Sequence, residues 1–265
     1  MTDADPRHRA LHSGELTVLG RIRSASNATF LCEAALPDQP EDVVACVYKP
    51  VAGEQPLWDF PDGTLAGREV GSYLVSAALG WDVVPLTIIR DGPAGPGMLQ
   101  LWVEQPDDSA MVDLCPANDV PAGYFSIITA YDYSGDEVKL VHADDPRLHR
   151  VAVFDVIVNN ADRKGGHILT GVDDRVYGID HGVSLHAHDK LRTVLWGWAG
   201  QPLDAATLEA IAGLDEQLGG DLGEQLAEHI TARELAALRG RVRALLDDPV
   251  MPEPAGRSPL PWPAF

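Results

Sequence analysis

Apolar and polar positions alternate through much of the first hundred residues, whereas a three-to-four-residue apolar period recurs in the second half. Residues 16–20 (Leu-Thr-Val-Leu-Gly) read as a strand, 21–27 as a polar turn, and 29–35 as the returning strand. A third strand is predicted over 43–50, where Pro50 stops it, followed by a loop over 51–63 rich in turn residues. A helix is predicted over 64–79: Leu65, Val70, Tyr73, Leu74, Ala77 and Ala78 share one face, and Gly80 supplies a stop. Two further strands, 83–90 and 98–104, flank a tight turn region over 91–97.

The pattern changes after Gln105-Pro106. Residues 107–124 read as loop, and helical periods follow over 147–159, 204–217, 221–230 and 232–246. The last of these opens with Thr231-Ala-Arg-Glu234, a capping-box signature. Residues 1–13 are polar with no predicted element, and 249–265 hold six prolines, predicting an extended or disordered tail on which Trp262 and Phe265 could dock. The elements add up to an α+β, two-lobed chain: a β-rich N-lobe over 14–104, a helical C-lobe over 105–248 and a Pro-rich tail over 249–265.

Charge narrows the choice of partners. Forty acids against twenty bases leave a net charge of −20 over 265 residues. Such a surface repels nucleic-acid phosphates and anionic membranes. Three scattered cysteines, Cys32, Cys46 and Cys115, form no Cys-x-x-Cys pair and predict neither a disulfide framework nor a thiolate zinc site. No leader-like apolar segment and no membrane-length run is visible, so a reducing, cytoplasmic setting is expected. The sequence shows no coiled-coil stripe, which makes a monomer the default expectation.

Chemistry gathers around two loop acids. Asp162 lies in Asn-Asn-Ala-Asp-Arg-Lys-Gly-Gly-His, after an apolar run, and Asp180 ends the short strand-like run 176–179. Two such carboxylates suit metal-assisted phosphoryl transfer: one orients an attacking hydroxyl and the other holds a cation against ATP phosphates. Lys49 ends the third strand and Glu69 sits on the next helix, the arrangement that fixes a lysine on those phosphates. Ser24, Ser26 and Asn27, in the first turn, offer hydroxyls and amides to cover phosphates. The segment from Gln100 through Trp102 and Val103 to Glu104 would be the hinge that receives adenine. A rival constellation, a metal hydrolase, can be written from His167, His181, His186 and His188 with Asp162, Asp180 and Asp189.

The order Tyr48-Lys49-Pro50, Arg68-Glu69, Asn-x-Asp162-Arg163, then Ile179-Asp180-x-Gly182 resembles the phosphatidylinositol 3-/4-kinase-like superfamily, which includes HipA-like and actin-fragmin-kinase-like proteins. More narrowly it resembles an actinobacterial PI3/PI4-kinase-like family, over roughly residues 15–200. The resemblance implies a protein-kinase-like fold that binds ATP with Mg²⁺ or Mn²⁺. Lys49 then resembles the phosphate-binding lysine and Glu69 its helix partner. Asp162 resembles the catalytic aspartate, with Arg163 beside it, and Asp180 the metal-binding aspartate. Two positions depart from the pattern: His167 stands where a metal-binding asparagine is usual, and His181 where phenylalanine is usual. Imidazole at 167 would suit Mn²⁺ better than Mg²⁺.

The segment 181–200 carries only Lys190 and Arg192 as fixed cations, so a protein hydroxyl (including one of its own) or a small-molecule hydroxyl is expected as acceptor rather than a lipid. Trp196-Gly-Trp198 would either wall such an acceptor or pack in the core. The alternatives to a kinase are a nucleotide-binding pseudokinase that binds a partner, and AMP transfer on the same fold.

Overall fold

The chain begins with a helix that the polar pattern of residues 1–13 did not predict. In a computed structural model, which describes residues 5–23, 27–107, 110–256 and 258–265, α1 spans Pro6–Ser13. Its start was legible: Asp5 caps the Arg7 N–H and Pro6 occupies the first turn. Its two inward residues, Ala10 and Leu11, are buried. The Arg90 guanidinium closes the far end, donating to the carbonyls of Leu11 and Gly14, each at 2.9 Å.

The strands β1 (Glu15–Arg21), β2 (Phe30–Leu36) and β3 (Gln39–Pro50) precede helix α2 (Leu65–Ala78). After it come β4 (Thr87–Gly92) and β5 (Gly95–Leu101). They form one antiparallel sheet ordered β1-β2-β3-β5-β4. The period of two along β3 sends Cys46 and Tyr48 into an apolar cluster with Ala10, Leu11, Leu86 and Leu99. Val47 and Lys49 therefore point to the opposite face. Burial raises the Cys46 thiol to about 12, so it packs as a small hydrophobe. The strand predicted at 83–90 is shorter and starts later, and the one predicted at 98–104 keeps its length but lies three residues earlier, so both run into the expected turn region. Val84 gives its N–H to the Ser76 hydroxyl at 3.0 Å, Pro85 has none to give, and pairing in the ladder ends at Leu101.

The second part is not purely helical. Residues read as loop contribute β6 (Val112–Pro116). With β7 (Tyr124–Tyr131) and β8 (Glu137–Ala143) it makes a three-stranded sheet ordered β6-β8-β7. Flanking prolines and a largely exposed β7 hid its alternation. Next come α3 (Pro146–Val158), the short hairpin β9 (Ile168–Thr170) and β10 (Val176–Gly178), then α4 (Ala205–Leu218), α5 (Asp221–Ala227) and α6 (Ala232–Asp247). One large core joins α3 to α4, α5, α6 and the C-terminal half of α2. The Thr231–Glu234 capping box forms as predicted.

Trp196 and Trp198 are buried, which settles their role as core rather than as an acceptor wall. The tail is extended and docked: Met251 pairs with Gln201 and Gly200, while Trp262 stays exposed. No helix among the described residues is long and apolar enough to cross a membrane.

Candidate active site

The lysine and the helix glutamate meet because β3 and α2 are each pinned in register. Thr64 caps α2 by accepting the Gly67 N–H at 2.9 Å, and the Glu54 carboxylate accepts the N–H groups of Leu65 and Ala66 at 3.0 and 2.8 Å. This fixes Glu69, whose Oε1 lies 2.8 Å from Lys49 Nζ, while its Oε2 accepts the His181 N–H at 2.9 Å. Lys49 Nζ also lies 2.6 Å from Asp180 Oδ1. Burial works against the charge on Lys49, but the Glu69 and Asp180 carboxylates outweigh it and raise its pKa above the ordinary lysine value. The Lys49 ammonium in turn holds the Asp180 carboxyl well below its ordinary value. Asp180 adopts φ 64°, a left-handed backbone that a non-glycine residue keeps only when its surroundings enforce it.

From the other side, α3 ends at Asn159 with φ 55°. The Asn159 amide donates to the carbonyls of His186 and His188, tethering the segment beyond Asp180. The Asn160 amide donates to Asp155 at 3.1 Å, and its oxygen accepts the Asp162 N–H at 3.0 Å. Asp162 is thereby presented to the cleft, with Lys164 Nζ 3.2 Å from its carboxylate. Burial, opposed by Lys164 and reinforced by the charge on Asp180, raises the Asp162 pKa above the usual aspartate value. A more basic carboxylate is a better proton acceptor.

Arg163 does not take the place beside the reacting groups that its sequence neighbour suggested. It is fully buried, with Nε 3.0 and 3.1 Å from the two Asp155 oxygens. Its other nitrogens donate to the Ile179 carbonyl at 2.7 Å and to His181 Nε2 at 2.6 Å. It ties the Asp162 loop to the residues flanking Asp180, which makes it a positioning residue. The buried His181 ring is held neutral, its pKa lowered by burial and by Arg163.

His167 faces Asp180, its Nε2 3.4 Å from Oδ2. Its Nδ1 sits 3.1 Å from the Asp162 carbonyl, which can only accept, so the hydrogen is on Nδ1 and the Nε2 lone pair is turned toward a carboxylate. Burial lowers the ring's pKa to about 4, so no proton bridges the two at neutral pH. Two electron-rich groups facing each other fit a cation between them. Among the described residues no set of three His, Cys, Asp or Glu side chains converges into a metal site. The remaining positions on a divalent ion would fall to phosphate oxygens and water, as Mg²⁺ and Mn²⁺ accept.

Lys49, Glu69, Asp162, His167 and Asp180 line one cavity of ≈ 360 Å³, together with Asn27, Glu54, Phe60 and Arg192. Of the first-turn residues only Asn27 can be placed: its side-chain oxygen accepts the Gln55 N–H at 2.9 Å, and Ser24 and Ser26 lie outside the described residues. The expected hinge side chains are not brought to this cavity. The Gln100 amide is buried and donates to Thr87 at 2.8 Å. Trp102 and Val103 line a separate ≈ 540 Å³ cavity with Tyr73 and Tyr177, and the Trp102 N–H is taken by the Ala45 carbonyl.

The rival histidine cluster does not assemble either. His181 is locked to Arg163, whereas the His186 ring packs edge-on against Phe60. Sequence reading missed Glu54, which carries no local signal, and counted Arg192 only as a cation of the segment beyond Asp180, not as a residue of this cavity. It also missed the depth of Asp155, although its place in the apolar run 153–158 was a clue.

No protein-family model matches the chain. Protein Rv2133c of Mycobacterium tuberculosis is 63% identical over 274 residues, covering 100% of this chain and 98% of the relative. Phosphatidylinositol 4-kinase gamma 2 of Arabidopsis thaliana is 28% identical over 110 residues, 39% of this chain and 20% of its own length. Among solved structures, the Golgi casein kinase superposes with a TM-score of 0.54 at 13% identity, covering 93% of this chain and 75% of that one. Hydra Fam20 with sugar superposes with a TM-score of 0.50 at 13% identity, covering 93% and 89%. These likenesses show the two-lobed, kinase-like α+β fold. With most of its residues in common along nearly the whole length of both chains, this protein belongs to the family of Mycobacterium tuberculosis protein Rv2133c.

Proposed function

We propose that the protein is an ATP- and divalent-metal-dependent phosphotransferase acting on a hydroxyl of a protein, itself included, or of a small molecule, rather than on a lipid. One observation carries this reading: a lysine bracketed by Glu69 and Asp180 opens into the cavity that Asp162 also lines. Lys49, kept charged by its two carboxylates, is a fixed cation for phosphate oxygens. Asp162, more basic than an ordinary aspartate, accepts the acceptor's hydroxyl proton or orients that hydroxyl. Arg192 borders the same cavity and offers positive charge beside Asp162. A divalent cation held by Asp180 and His167 would neutralise charge on the phosphates. A net charge of −20 sets the molecule against anionic membrane surfaces, which is why lipid is the weaker acceptor class.

The test is incubation with ATP labelled separately at the γ- and α-phosphates, in Mg²⁺ and in Mn²⁺, with Asp162→Ala alongside. We predict transfer of the γ label, reduced by about 10²–10⁴-fold in Asp162→Ala while nucleotide binding persists. Wild-type rates in that variant would remove Asp162 from its role. Transfer of the α label would instead identify AMP transfer. Binding with no transfer of either label, across candidate acceptors, would identify a nucleotide-binding pseudokinase, a reading favoured by the imidazole of His167 in the metal-facing position.

A further inference from the structure

We infer that residues 259–265 form a strap that positions the loop carrying Asp162 and His167, with Ala264 and Phe265 as its positioning residues. The catalytic consequence rests on the phosphotransfer reading above; the strap itself rests on geometry alone. The short turn Gly165–His167 follows Asp162 and ends on His167. Its Gly165 N–H donates to the Ala264 carbonyl at 2.8 Å. The Phe265 ring lies directly over Gly165: a Cβ at that position would collide with Cε1, Cδ1 at 2.8 Å and Cζ at 2.9 Å. The bare backbone of Gly165 is thus the surface on which the ring seats.

The other end of the strap reaches the charged network behind the loop. The Pro259 carbonyl accepts the Thr193 N–H at 3.2 Å and the Trp196 indole N–H at 3.0 Å. The Thr193 hydroxyl donates to Asp155 Oδ2 at 3.1 Å, and Asp155 is the carboxylate that anchors Arg163. Neither Ala264 nor Phe265 lines the cavity that holds Lys49, so the strap buttresses the loop from behind and does not plug the site. Holding a glycine-pair loop still costs backbone entropy, which these contacts offset. A loop displaced by about 1 Å can cost as much as ~10²-fold in rate.

The chain of residues 1–265 is compared with Phe265→Ala, Gly165→Ala, the double variant, Phe265→Leu, and a chain lacking 262–265. Two readouts are taken: steady-state transfer, and amide hydrogen exchange of residues 163–168 against those of α3 and α6. The strap predicts that Phe265→Ala lowers kcat about tenfold with KM for ATP unchanged within about twofold, and that Phe265→Leu recovers most of it. Gly165 exchange should rise about tenfold in Phe265→Ala and in the truncated chain while α3 and α6 keep their protection. The double variant should be no worse than either single one, because both break the same contact.

Unchanged exchange at 165–167 in the truncated chain overturns the inference. So does a rise in kcat, which would mean an inhibitory plug, or an equal loss of protection throughout α3 and α6, which would mean a general stabiliser. If the wild-type protein transfers no phosphate, the kinase reading fails while the exchange data still decide the strap.

Discussion

Lys49 has two acids on one ammonium, and they are not equivalent. Glu69 is buried and also accepts the His181 N–H, whereas the Asp180 side chain is half exposed, at 50%. Glu69 therefore belongs to the scaffold and Asp180 to the cleft. We predict that Lys49→Met lowers transfer by about 10²–10³-fold. Glu69→Gln loses the charge and one of its two acceptor oxygens, since an amide nitrogen only donates, but it leaves Lys49 in place beside Asp180, so its loss should be smaller than that of Lys49→Met; kcat measured for both checks the order.

At this scale much of the site was legible. Lys49, Glu69, Asp162 and Asp180 stand out because each ends or flanks an element whose length the apolar pattern sets. What was not legible is the direction of a charged side chain once it leaves the backbone. Arg163, expected beside the catalytic aspartate, is fully buried behind it. Trp102 and Val103, placed by analogy of position alone, line another cavity.

Among elements, the junction after α3 is held by a convergence of side-chain bonds. Asp155, Asn159, Asn160 and Arg163 use side chains to hold together segments that no regular hydrogen-bond ladder joins. Burial pushes the Asp155 pKa up while Arg163 opposes it, so each charge is tolerated because of the other. Removing one partner leaves the other stranded: Arg163→Met should cost about 3–5 kcal/mol in urea unfolding, and an effect under about 1 kcal/mol would show the pair to be dispensable. Long elements with clean periods, α2, α3, α4 and α6, were legible to within a residue or two. The sheet β6-β8-β7 was not: β6 has five residues and ends on a proline, β7 is largely exposed, and the buried residues of β8 run consecutively from Leu140 to His142 without alternation. Helix α1 escaped for a different reason: only two of its residues face inward, too few to make a period.

For the whole molecule, acid should be the weak side. His142 is buried on β8, with its pKa lowered by burial, and its Nε2 accepts the Gly197 N–H at 3.0 Å. Unfolding frees this ring to titrate near 6.5, so below that pH the unfolded chain binds the extra proton and stability falls, whereas above it the contribution is fully present. We predict a urea midpoint lower at pH 5.5 than at pH 7.5, and a shallower pH dependence in His142→Gln; equal slopes in the two proteins would exclude His142 as the cause.

The ion pair of Arg68 on α2 with Glu234 on α6, 2.5 Å apart and almost fully buried, sets how the molecule can breathe. Arg68 also donates to the Ser184 and Asp62 carbonyls. The helix that carries Glu69 is therefore riveted to the helical body. Deleting either partner would strand the other charge in the interior, at a cost on the order of 3–5 kcal/mol. The Asp59–Lys190 pair at 3.0 Å, less deeply sheltered, fastens the loop before α2 far more weakly. That loop, whose Asp59 and Phe60 line the cavity, is thus the more loosely fastened of its walls, and α2 the more firmly held.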